Sequence, residues 1–233
     1  MKKSFSNYLR VFIFTYTTMF LTKILFIFYL QNHFIDYPVI TQIGAALWGY
    51  KFDFVISSII ALMSSFVDYN KKIYSILIAT LITWLFFMQV ADILYFDEAS
   101  RHISYEVKDS IVDAYSLFMT AYTQHTFFTI GSLLMGGILF TLLFLFFRNT
   151  SVIKLTKGYF FSKIILIIIT IFFVRGMFQL VPLTPWHANQ IGDSKLASIS
   201  LTASYNIMHA LINEHHKLQN LSYRPILFFP ILY

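Results

Sequence analysis

Apolar residues in this chain come as unbroken runs of membrane-crossing length, not as a stripe on one face. Five such runs stand out: about Leu9 to Leu30, Phe52 to Val67, Ile73 to Val90, Phe127 to Phe147 and Phe160 to Val181. Crossing roughly 30 Å of hydrocarbon takes about 20 helical residues, because every backbone N–H and C=O must be paired within the segment. The pattern therefore predicts five transmembrane helices, the second being the shortest. The connection from Ala91 to His125 is too long for a simple turn. Ile103, Val107, Ile111 and Ala114 recur there at helical spacing, which predicts a helix lying on the outer membrane surface. Beyond Val181, Pro182, Pro185 and Gly192 signal turns, and Lys195 to Leu211 reads as a short helix. The expected architecture is an all-α integral membrane protein: a five-helix transmembrane domain over residues 1–181 and a tail over residues 182–233.

Composition agrees. Hydrophobic residues make up 58% and charged residues only 12%, whereas soluble domains carry about a quarter charged residues. No large soluble domain fits beside five spans. The net charge of +6 is scattered between apolar segments and not gathered on one face, which argues against a nucleic-acid partner. Cys is absent, excluding disulfides, thiolate metal sites and cysteine nucleophiles together.

The placement of charge gives an orientation. Lys2, Lys3 and Arg10 precede the first run, Lys71 and Lys72 separate the second from the third, and Arg148, Lys154, Lys157 and Lys163 crowd the connection from fourth to fifth. With five spans these groups share one side. The opposite loops hold Lys51, Arg101 and Lys108 among Asp92, Asp97, Glu98, Glu106, Asp109 and Asp113. The positive-inside rule then puts the N-terminus in the cytoplasm and the tail outside, in a multi-pass protein of the cell (inner, cytoplasmic) membrane. The first run is an uncleaved anchor on this reading: it is long for a signal peptide, and Gln31, Asn32 and His33 stand where a small-residue cleavage site belongs. Trp48, Tyr50, Tyr95, Tyr159 and Trp186 lie near the predicted helix ends, at headgroup depth.

Charges within or against spans are costly and mark candidate sites. Lys23 lies inside the first helix, Lys51 and Asp53 open the second, Asp92 closes the third and Arg175 sits in the fifth. Two readings stand side by side. Arg175 pairs with Asp53 or Asp92 as a strut while Lys23 snorkels to an interface, or Arg175 with Lys51 binds a lipid phosphate at the outer headgroup level. His209, His215 and His216 lack metal-ligand spacing, so no metal site is assigned. Neither a Gly-x-Ser-x-Gly elbow nor a P-loop occurs, and Ser57, Ser58, Ser64 and Ser65 read as helix-packing residues. No catalytic residue is assigned.

Several stretches resemble the membrane domain of the lipoteichoic acid synthase and phosphoglycerol transferase family of sulfatase-like enzymes, in the alkaline phosphatase superfamily. Gly49-Tyr50-Lys51-Phe52-Asp53 resembles the Gly-x-Lys/Arg-x-Asp that opens that family's second helix, and Asp92-Ile93-Leu94-Tyr95-Phe96 the Asp-x-x-Tyr-Phe after its third. Arg175 to Leu183 resembles the Arg-Gly-Gly-x-Gln-x-x-Pro-Leu that ends the fifth, with Met177 in place of the second Gly. Leu201 to Tyr205 falls where Leu-Asn-Pro-x-Tyr is usual, with Thr202-Ala203 replacing Asn-Pro.

The resemblance implies a membrane anchor for a transferase that moves phosphoglycerol or phosphoethanolamine-type headgroups from phospholipid in cell-envelope synthesis. In that family the chemistry belongs to an extracytoplasmic domain with a Thr nucleophile and a divalent metal such as Mn or Mg. Residues 182–233 then correspond to the start of the linker to that domain, and this chain, inactive by itself and either a truncated product or an isolated anchor domain on this reading, binds no cofactor of its own. The partners implied are membrane phospholipid and either a second copy or an envelope-synthesis protein. A non-enzymatic membrane scaffold is the alternative, and a transporter component, hinted at only by Gly131, Gly136 and Gly137, the third.

Overall fold

The computed structural model describes residues 2–67, 70–104, 106–107, 113–149, 157–177 and 181–222. Among them every regular element is helical. The uninterrupted apolar runs give the long helices α1 (Lys2–Tyr29), α4 (Lys71–Ala99) and α6 (Thr126–Arg148). Of these three, α4 shows how the ends are set. The Asn70 side chain accepts from the backbone N–H groups of Lys72 and Ile73, at 3.2 Å each, and Ser100 at φ 54° closes the far end in the left-handed region. These three helices are long and apolar enough to cross a membrane.

The second predicted run is half of a larger unit. A helix that the sequence reading leaves unassigned, α2 (Val39–Trp48), starts after Pro38 and meets α3 (Tyr50–Ser65) at Gly49 with a bend of 44°. Counted as one bent span, the pair makes a fourth crossing. The fifth run is a correction. Its helix, α7 (Lys157–Val174), stops at Val174 and not Val181. Gly176, at φ 92°, terminates it: the Gly176 N–H bonds the Phe173 carbonyl and the Met177 N–H the Phe172 carbonyl, the two bonds of a Schellman motif. At 18 residues, α7 is apolar but short for a span.

The helix expected in the connection after α4 falls in large part outside the described residues. Ile103 and Val107 pack with Ala203 and Ile207, while Ile111 is outside the described residues. A separate helix, α5 (Ala114–Gln124), carries no buried side chain and precedes α6. Residues 195–211 form two helices, α8 (Ser194–Ser200) and α9 (Ala203–Ser222), broken where Leu201 is extended at ψ 141°.

Helix α7 runs antiparallel to α3 and parallel to α1. Lys163, near the start of α7, donates to the Ser65 carbonyl at the end of α3 and to Ser4 Oγ at the start of α1 (2.9 Å for Ser4). At the other end Phe54 of α3 stacks edge-on against Phe173 of α7 at 5.5 Å. Helix α6 lies against α4 at the edge of the bundle, with Phe87 seated over Gly136, where an added Cβ would fall 2.2 Å from the ring.

The bundle has two unlike ends. One gathers Lys3, Lys71, Lys72, Arg148, Lys157 and Lys163, and among the described residues no acid stands with them; Asp68 lies outside those residues. The other end carries Asp36, Asp53, Asp92, Asp97, Glu98 and Asp193. Residues 183–207 fold back onto this acidic end: Leu183, Ala188, Ala197 and Tyr205 belong to the same core as Val11, Phe52, Val55 and Ile78.

Candidate functional site

Two buried acid–base pairs sit side by side beneath that folded-back segment. Asp53, in the first turn of α3, is 0% exposed, and Lys23, deep in α1, is 4% exposed. The Lys23 ammonium donates to Asp53 Oδ2 at 2.8 Å and to the Gly49 carbonyl at 3.3 Å. An ammonium or carboxylate buried alone would be prohibitively desolvated, so each charge requires the other.

The second pair joins α4 to the loop that follows it. Asp92 Oδ1 accepts from the Ile103 N–H at 2.8 Å, and Oδ2 faces His102 Nδ1 at 2.6 Å. His102 Nε2 lies 2.7 Å from the Ser198 carbonyl of α8. The imidazole stacks on Phe26, with centroids 5.5 Å apart, and tilts against Phe96 at 5.1 Å. Burial opposes its protonation, but the Asp92 charge, the hydrogen bond to it and the Ser198 carbonyl prevail over burial and over repulsion from Lys23, holding its proton affinity above the usual histidine range.

Between the pairs is a cavity of about 10 Å³ lined by Thr22, Lys23, Gln89, Asp92, His102 and Leu201, among others. It has room for about one water molecule. Gln89 closes one wall: its Oε1 accepts from the Ala203 N–H at 3.3 Å and its Nε2 donates to Ser204 Oγ at 3.2 Å, fixing the start of α9.

The sequence-selected residues divide into two groups. Asp53 and Asp92 are buried, but neither pairs with Arg175, which is exposed at the end of α7. The predicted strut is therefore replaced by Lys23–Asp53 and His102–Asp92. Lys23 does not snorkel, because the first turn of α3 brings a carboxylate to it. Lys51 is half-buried, its ammonium 5.7 Å from the centroid of the Trp48 ring. Among the described residues neither Lys51 nor Arg175 forms an ion pair, and both lie at the acidic end, where Tyr50, Phe54 and Phe173 form a chain of rings 5.5 Å apart. Those same residues contain no group of three His, Asp or Glu side chains arranged to hold a metal.

The stretches that carry the family resemblance meet here, although they lie up to about 150 positions apart in the sequence. Gly49 packs so closely on α8 that a Cβ would fall 1.9 Å from the Ser200 carbonyl oxygen. The rings of Phe52 and Tyr205 are 4.9 Å apart, and the Tyr205 hydroxyl donates to the Leu183 carbonyl at 2.7 Å. Burial raises that hydroxyl's pKa, keeping it protonated to donate. Phe178, Gln179 and Leu180 of the third stretch fall outside the described residues.

His102 and Gln89 are the residues sequence reasoning missed. Gln89 carried a signal, as a polar amide inside an apolar run. His102 carried none, since a loop histidine cannot be matched to a carboxylate from sequence spacing. Comparison with known proteins adds no relative: no family model, no curated protein and no solved structure matches this chain.

Proposed function

We propose that this chain is the membrane-embedded part of a sulfatase-like phosphoglycerol or phosphoethanolamine-type transferase, acting on phospholipid headgroups in cell-envelope synthesis. Chemistry in such an enzyme is metal-assisted phosphoryl transfer on an extracytoplasmic domain, and these residues supply the anchor and the lipid-facing end. The chain crosses the cell membrane five times, α2 and α3 together making one crossing and α7 the last, with the basic end in the cytoplasm and the acidic end outside. Helix α5, uncharged and rich in exposed aromatic side chains, lies in the outer headgroup layer.

The observation that carries this reading is the convergence of the resembling stretches. Gly49 to Asp53, Asp92 and its partner His102, Leu183 and Tyr205 lock one end of the bundle, leaving Lys51 and Arg175 at that end without carboxylate partners among the described residues. A lipid phosphate supplies what they lack, since a guanidinium donates to two phosphate oxygens at once.

The test uses the full chain in nanodiscs of phosphatidylcholine doped with phosphatidylglycerol, with bound lipid counted by native mass spectrometry. Retention of phosphatidylglycerol by the native chain, lost in Arg175→Gln and weakened in Lys51→Gln at unchanged helix content, supports the reading. Equal retention by all three removes the headgroup site.

A second reading rests on α6, of which only 22% is buried in its most apolar stretch. A scaffold protein would cover that face with a partner subunit. A stoichiometric membrane protein co-purifying in mild detergent, and lost on Gly137→Leu, would favour it over the anchor.

A further inference from the structure

His102 stands between two acceptors. On one side its Nδ1 is 2.6 Å from Asp92 Oδ2, and on the other its Nε2 is 2.7 Å from the Ser198 carbonyl oxygen. A neutral imidazole carries one N–H and one lone pair, so it satisfies one of these contacts and aims a lone pair at the other acceptor. Only the imidazolium donates to both. The second oxygen of Asp92 accepts from the Ile103 N–H at 2.8 Å, which suits an ionised carboxylate.

Among the described residues, few groups face the ring. From α1 comes the Lys23 ammonium, itself neutralised by Asp53 of α3; from α4 come Asp92 and the uncharged Gln89; from α8 comes the Ser198 carbonyl alone. The buried set is thus balanced, two cations against two anions. It is also the joint between bundle and folded-back segment, because Ser198 lies in α8 while Asp92 lies in α4. Phe26, stacked on the imidazole, and Phe96, tilted against it, leave the His102 side chain only 7% exposed, so bulk solvent does not readily take the place of a lost N–H.

We propose that His102, held as an imidazolium, is a proton-operated fastening between the helix bundle and α8, which it releases on losing its proton. At acidic and neutral pH both bonds are made and α8 stays docked. When the proton leaves, the ring keeps its N–H toward Asp92, the charge-assisted bond, and the Ser198 carbonyl is left without a donor. This goes beyond the proposed function, for it concerns how the segment after α7 is held, whatever that segment serves.

The experiment combines two readouts on the full chain in nanodiscs between pH 5 and 10. Nitrogen NMR of histidine-labelled protein reads the two ring nitrogens of His102, identified by their loss in His102→Gln. Hydrogen exchange of residues 194–200, corrected for the intrinsic rise with pH, reads docking. Both ring nitrogens protonated at pH 7, with corrected exchange rising about tenfold through the same transition, is the expected result. In Asp92→Asn, which keeps a bond to the ring but removes the charge, the transition shifts to lower pH. A single ring proton at pH 6, or exchange that stays level through the His102 transition, overturns the proposal.

Discussion

Lys23 and Asp53 meet at 2.8 Å in a part of the molecule where both side chains are buried. The pair ties α1 to the first turn of α3 and, through the Gly49 carbonyl, to the bend between α2 and α3. Breaking one side leaves an uncompensated charge, so Lys23→Met or Asp53→Leu alone should destabilise the bundle by about 3–5 kcal/mol. The double replacement should recover most of that loss. Unfolding in mixed micelles checks it through a double-mutant cycle; additive effects would mean the charges do not depend on one another.

Gly49 and Gly136 offer a graded comparison. A Cβ at Gly49 would meet backbone, the Ser200 carbonyl oxygen at 1.9 Å, whereas at Gly136 it would meet the Phe87 ring at 2.2 Å. A ring can rotate and a helix carbonyl cannot. Gly49→Ala is therefore expected to displace α8 and exceed the ~1–3 kcal/mol usual for overpacking, while Gly136→Ala stays within it. Protease sensitivity of residues 183–200 distinguishes the two variants.

Docking of α8 should have a pH window. His102 binds its proton more tightly when docked than when released, so its contribution is fully present below the ordinary histidine value of about 6.5 and is lost as pH rises through the higher docked value. On the acid side stands Asp193, which caps α8. Its Oδ1 accepts from the Lys195 and Leu196 N–H groups at 2.8 and 3.1 Å, and its Oδ2 from the Tyr37 hydroxyl at 2.7 Å. Those bonds, that from Tyr37 foremost, hold its carboxyl below the usual range. Its contribution is present above about 3.9 and is lost as pH falls through the lower folded value. Limited proteolysis across pH 3 to 10 should show greatest protection between these limits, and Asp193→Ala should remove the acid-side fall.

Much of the fold was legible because lipid imposes long, self-satisfied helices. The runs around Leu9–Leu30 and Phe127–Phe147 contain no Pro, and α1 and α6 follow them closely. Other elements depend on what hydropathy cannot see. Helix α2 has only 10 residues and reads as loop, since its partner α3 begins beyond a bend. The stop of α7 lay hidden because Met177, Phe178, Leu180 and Val181 prolong the apolar run past Gly176. At the site, sequence singled out Asp53 and Asp92 by the cost of placing carboxylates in spans. It could not choose their partners, which depends on how helices pack: Lys23 precedes Asp53 by 30 positions and Arg175 follows it by 122, and neither number measures a distance in space.

The proposed headgroup site requires the acidic end of the bundle to lie outside the cell membrane and the basic end to lie in the cytoplasm. The chain contains no Cys, so single cysteines can be placed without background: at Asn70 and Asn149 on the basic end, and at Ile35 and Trp186, 78% and 75% exposed, on the acidic end. A membrane-impermeant maleimide applied to intact cells should label positions 35 and 186 and reach 70 and 149 only after permeabilisation. Labelling of positions 70 and 186 from the same face would contradict the orientation and, with it, the outer headgroup site.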